Sequence, residues 1–111
     1  MLSKAYIPYK GYYSSPFARW QGSMANEHAI ILAAETTKRW LAEKNMDPKV
    51  FDYVYLGLTV HQHQGFYGGP WAAGLMGAGG VPGLWVSQAC STSTVAIYSA
   101  AMGVETGLFQ A

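Results

Sequence analysis

The chain has 111 residues, half of them hydrophobic and 12% charged, with a formal net charge of +1. That length fits one domain or part of one, and seven basic residues spread among six acidic ones exclude a basic nucleic-acid-binding surface. A single cysteine, Cys90, excludes an internal disulfide framework and fits a reducing cytoplasm.

The first residues, "MLSKAYIPYKGYY", lack the apolar core of a signal peptide. Lys4 to Lys10, "KAYIPYK", reads as a short strand on the β propensity of Tyr6 and Ile7. Gly11 to Ser23 is a loop rich in Gly, Ser and Pro, and Ser23 is placed to cap the helix after it. That helix is expected over Ala25 to Lys44. Ile30, Ala33, Ala34, Thr37 and Leu41 share one face, while Glu35, Arg39 and Glu43 follow at intervals of four on the other. His28 falls on the helix surface in this reading. Asn45 suits a left-handed stop. Met46 to Asp52, "MDPKVFD", is a turn with a short helical piece that starts at Pro48.

"YVYLGLTV" (Tyr53 to Val60) is an apolar run with the look of a strand buried on both faces. "HQHQGFYGG" is a loop, Pro70 to Gly77 a short helix of small residues, and "GLWVSQA" (Gly83 to Ala89) a second buried strand. Ser91 to Val104 is helical, with Val95, Ile97, Tyr98, Ala101 and Met102 distributed around it, which predicts burial on every side. Strands alternating with helices argue for an α/β sheet with parallel strands.

Charge is placed unevenly along this order. Tyr53 to Val104 carries no Asp, Glu, Lys or Arg. A solvated surface needs ionised groups, and a chain this short has little interior to hide such a run. The composition therefore predicts either oligomerisation or a fold whose remainder lies outside this chain. Gly65 to Val86 is long enough to cross a bilayer, but its eight glycines with Pro70 and Pro82 argue against a membrane span.

Cys90 falls where the last strand gives way to the last helix. Unpaired backbone N–H groups there would stabilise a thiolate, and Ala89, Ser91 and Ser93 leave room beside the sulfur. On position alone an inert core residue is the commoner outcome, since free cysteine is among the most buried types. His61 and His63 would share a face of an extended segment, yet no third or fourth metal ligand stands nearby, so no metal site is expected. Gly77, Gly79, Gly80 and Gly83 do not form a phosphate-binding loop, because Pro82 and a strand stand where a glycine and a helix are needed. The twelve Tyr and Trp residues are scattered without a basic stripe, which favours core or interface roles.

Three blocks in this order carry a family resemblance. "SSPFARWQGSMA" (Ser14 to Ala25) resembles the early loop of thiolases, "MDPKVFDYVYLG" (Met46 to Gly57) their Asp-Pro, strand and Gly, and "GVPGLWVSQACSTSTVAIYSAAMGVETG" (Gly80 to Gly107) the segment bearing their nucleophilic cysteine. The resemblance implies an α/β, thiolase-like fold: a partial N-terminal half with a mostly parallel sheet and a buried helix after the nucleophile. Residues 1–111 would then be an N-terminal thiolase domain fragment.

By resemblance, Cys90 is the catalytic residue that accepts the acyl group from an acyl-CoA thioester. Thiolysis by coenzyme A or Claisen condensation with a second acyl-CoA would follow, with coenzyme A as substrate rather than resident cofactor. Ser87 stands where many thiolases have Asn, and Thr92 and Ser93 where they have Ser-Gly. "ACSTS" is also similar to the cysteine motif of β-ketoacyl synthases, which leaves a condensing enzyme as an alternative, beside a non-catalytic subunit with a structural cysteine. The family's second half brings a Gly-His-Pro histidine and a Cys-x-Gly cysteine. No histidine follows His63 here, so the chain by itself is expected not to turn over; the expected partners are a second copy in a homo-oligomer or a second subunit that supplies the missing half.

Overall fold

The computed structural model describes residues 1–111. Its first helix, α1, spans Ala29–Glu43. It starts four residues later than the sequence suggests, because Ser23 lies in a run of turns and His28 caps the helix instead. The His28 Nδ1 accepts the Ile30 N–H at 3.2 Å. Its Nε2 lies 2.7 Å from the His63 carbonyl and donates to it, because the other ring nitrogen is already the acceptor. The helix ends as the sequence predicts. Asn45 adopts φ 52°, its N–H reaches the Ala42 carbonyl at 3.1 Å, and the Met46 N–H reaches that of Leu41 at 2.9 Å. These two bonds form a Schellman motif and satisfy carbonyls the helix leaves open. Asp47 then caps the single 3-10 turn Pro48–Val50 through the Lys49 N–H at 2.9 Å.

The centre of the fold is one β-α-β unit. Strand β1 (Val54–Gly57) pairs in parallel with β2 (Gly83–Val86), with Val54 opposite Gly83 and Gly57 opposite Val86. Helix α2 (Gly68–Leu75) makes the crossover and packs on both strands and on α1. Helix α3 (Thr92–Glu105) packs mainly on β1. Side chains alternate across β1 as the pleat requires. Val54 joins a cluster of Ala34, Ala73, Met76 and Ala78 on the α1–α2 side, while Gly57 meets Thr92 and Ala96 of α3. Two glycines let α2 come close to β2. A Cβ on Gly69 would stand 2.5 Å from the Leu84 backbone nitrogen, and one on Gly83 would stand 2.7 Å from the Gly69 carbonyl carbon.

Both chain ends are held by carboxylates. The segment expected as a strand at Lys4–Lys10 has no strand partner. It runs as an irregular arm whose start is fixed to the end of α3. Glu105 accepts the backbone N–H groups of Ser3, Lys4 and Ala5 at 2.8–3.1 Å and the Ser3 hydroxyl at 2.8 Å. These bonds, led by those from Lys4 and Ser3, lower the Glu105 pKa to about 2. At the other end, Asp52 accepts the N–H groups of Gln110 and Ala111, and its own N–H donates to the Ala111 carbonyl at 2.8 Å. Phe109 stacks on Tyr53 with ring centroids 4.9 Å apart.

The burial expected for the uncharged run is not found within this chain. The surface is 7994 Å², against roughly 6,000 Å² for a folded monomer of this mass. Val60, Phe66, Leu84, Ile97 and Tyr98 are all exposed. The two strands are half-buried rather than covered on both faces. Helix α3, expected to be enclosed, buries Thr92 and Gly103, because one side packs on the sheet and nothing in the chain covers the other. No helix is long and apolar enough to cross a membrane.

Candidate active site at the β2–α3 junction

The C-terminal ends of parallel strands are where open α/β sheets present their chemistry, and Cys90 lies there. Strand β2 ends at Val86, and the chain makes one 3-10 turn, Ala89–Ser91, before α3 begins. Cys90 sits in that turn with its thiol exposed. The buried cysteine that position alone favours is therefore not what the fold produces.

The turn is strained and closely held. Ala89 has φ 47°, a left-handed conformation that costs an L-residue roughly 1–2 kcal/mol. Such a residue persists where its surroundings over-determine it. Here the Ser91 N–H and hydroxyl both donate to the Gln88 carbonyl, at 3.0 and 2.8 Å. The Gln88 N–H donates to Thr92 Oγ1 at 2.8 Å, and the same hydroxyl donates to the Ala89 carbonyl at 2.7 Å. Thr59, just past β1, adds its hydroxyl to the Ala89 carbonyl at 3.3 Å. The Thr92 backbone N–H donates there too. Neither Ala89 nor Cys90 contributes its N–H to the bonds that close the turn.

Helix α3 has no side-chain cap and no acidic residue in its first turn. The aligned peptide dipoles of α3 put a partial positive charge at its start, beside Cys90. The turn can thus present a sulfur nucleophile to an electrophile arriving from solvent, with backbone donors at hand for developing negative charge.

The other candidates go elsewhere. His61 packs its ring on Trp85, centroids 4.8 Å apart. The carbonyl of His63 serves His28, so loop 58–67 is tied to the start of α1. No group of three His, Cys, Asp or Glu side chains is placed to hold a metal ion. Thr92 is the residue that sequence reasoning passed over. Its one visible signal is a small hydroxyl residue two after the cysteine, at a helix start, which sequence reading registers as a departure from a pattern rather than as a role.

A strand that delivers an exposed cysteine to the start of a helix, on a parallel β-α-β unit, defines an α/β domain with a lone thiol at its strand-to-helix turn. The family model described as "Thiolase, N-terminal domain" matches residues 11–111. The chain belongs to the thiolase family and corresponds to its N-terminal domain, which places it at the coarse level among thiolase-type acyltransferases. No curated protein and no solved structure matches the chain.

Proposed function

We propose that this chain carries the nucleophile of an acyl-CoA acyltransferase and that Cys90 accepts the acyl group. The Cys90 sulfur attacks the thioester carbonyl, forming a new C–S bond and placing charge on the carbonyl oxygen. Collapse breaks the bond to coenzyme A, whose thiolate takes the proton that Cys90 gave up. In Claisen condensation the α-carbon of a second acyl-CoA, having lost a proton to a base, then bonds to the acyl carbon as the C–S bond to Cys90 breaks. In thiolysis the sulfur instead attacks the β-keto carbonyl of a 3-ketoacyl-CoA, and the C–C bond breaks to release a shorter acyl-CoA whose α-carbon takes a proton. A coenzyme A thiol then takes the acyl group from Cys90. The observation that carries this reading is the exposed thiol on a left-handed turn, inside a domain of the thiolase family. The N–H of Cys90, left out of the turn's own bonds, is suited to the thioester oxygen.

The chain has no second cysteine, and His28 is committed to a helix cap. We assign the remaining proton transfers to groups outside this chain, a reading supported by the resemblance to a family whose second half brings a histidine and a second cysteine. The exposed Ile97 and Tyr98 on α3 support an assembled state, in which a second subunit or further protein covers that helix.

The test is alkylation of Cys90 by iodoacetamide, read by mass spectrometry with and without acetyl-CoA. Rapid modification that acetyl-CoA slows is expected. The rate of an ordinary free thiol, indifferent to acetyl-CoA, would remove the proposal. Cys90→Ala should abolish acyl capture and leave the circular dichroism spectrum unchanged, since an exposed side chain is removed.

A further inference from the structure

Thr92 is 4% exposed, and its single hydroxyl bonds to both sides of the turn. It accepts from the Gln88 N–H and donates to the Ala89 carbonyl. Its methyl group is fixed in turn by the end of β1, where a Cβ on Gly57 would stand 2.9 Å from Thr92 Cγ2. The Ala89 carbonyl receives three donors: the Thr92 hydroxyl, the Thr92 N–H and the Thr59 hydroxyl.

Peptide planarity turns that convergence into a statement about Cys90. No peptide bond in the chain is cis, so the Ala89 C=O and the Cys90 N–H lie in one plane and point in opposite directions. Pinning the carbonyl toward Thr92 and Thr59 therefore aims the Cys90 N–H away from them. We infer that Thr92 is a positioning residue: its hydroxyl, through the Ala89 carbonyl, sets the direction of the Cys90 N–H that faces the thioester oxygen. The inference rests on the acyl-transfer reading of Cys90 given above. It assigns Thr92 a task distinct from filling the core, because the methyl packs while the hydroxyl orients.

Two reactions of one sulfur separate the roles. Acyl transfer from acetyl-CoA builds negative charge on oxygen and needs the N–H in place. Alkylation by iodoacetamide builds no such oxyanion. Thr92→Val keeps the shape and loses both bonds, and it should slow acetylation of Cys90 by at least about tenfold while alkylation keeps the parent rate. Thr92→Ser retains the hydroxyl and should restore most of the acetylation rate.

Equal acetylation rates for the parent chain and Thr92→Val would overturn the role of Thr92 and leave Cys90 as the nucleophile. Parallel loss of acetylation and alkylation in a folded Thr92→Val would also overturn it, by showing a general disturbance of the turn. A parent chain that acetyl-CoA never acetylates would instead sink the acyl-transfer reading. Should Thr92→Val fail to fold, Thr92→Ser and Thr92→Ala decide between the outcomes, because they differ by the hydroxyl alone.

Discussion

Helices α1 and α3 have nearly the same length and opposite designs. Helix α1 buries Ile30, Ala34 and Leu41 and sets Glu35, Arg39 and Glu43 along a groove with Trp40 and residues 13–16. Its apolar face is answered by α2 and the sheet within this chain. Helix α3 has one ionisable acid, Glu105, and no basic residue, yet it leaves Ile97 and Tyr98 in solvent. The first helix is a finished piece of a small core. The second is apolar for contacts that the chain does not make with itself, and the turn just before it carries the exposed cysteine. Stability in this molecule is therefore concentrated around α1, and the chemistry proposed for Cys90 would lie beside α3.

That division can be attacked from both sides. The largest effects belong to the α1 core. Leu41→Ala or Ile30→Ala removes a side chain that is 1% or 0% exposed and should lower the unfolding free energy by about 3 kcal/mol, read from urea denaturation. Gly69→Ala drives a Cβ into the Leu84 backbone and should cost about 2 kcal/mol or more, with the midpoint of the same transition falling. Asn45→Ala puts a residue without a local polar side chain into the left-handed stop of α1 and should cost about 1 kcal/mol. Ile97→Ser on the outer side of α3 should change stability by less than about 0.5 kcal/mol. It should act instead on self-association, measured by sedimentation. If Ile97→Ser destabilised the monomer as much as Leu41→Ala, the contrast between the helices would fail.

The acid response probes the far end of α3. The Glu105 pKa is lowered to about 2 in the fold, so its contribution is fully present above the ordinary carboxylate range and is lost as pH falls through about 2. Between those limits the arm at Ser3–Ala5 should remain attached, and its amide chemical shifts should change only near the lower one. Glu105→Gln should detach the arm at neutral pH and speed hydrogen exchange of those three amides, while the exchange of α1 stays unchanged.

Much of this was legible in the residues. The period of α1, its stop at Asn45 and the Asp47–Pro48 turn are local features, set by side chains a few positions apart. The two strands and α2 were readable because apolar and glycine-rich runs alternate. Lys4–Lys10 misleads because β propensity needs a ladder partner, and this segment finds a carboxylate a hundred residues away instead. Apolar composition all round α3 likewise states what the helix needs rather than what the chain provides. At the site, Cys90 was visible as a lone thiol at a strand-to-helix junction and through the likeness of its flanking blocks to thiolases. Ala89 and Thr92 were not, because a left-handed alanine held by a hydroxyl three residues on leaves no pattern in sequence.

The clasp between Glu105 and the arm has a consequence for how the molecule assembles. It joins residues about a hundred positions apart, and closing so long a loop is entropically opposed until other contacts have shortened it. The α3 carboxylate can gather the arm's three amides once α3 is docked on β1. We therefore expect the clasp to close late in folding, after the β-α-β unit, and to open early in unfolding. A spectroscopic label at Ser3 would follow the completion of the fold rather than its nucleation, and would time the moment at which the helix carrying the thiol turn settles into place.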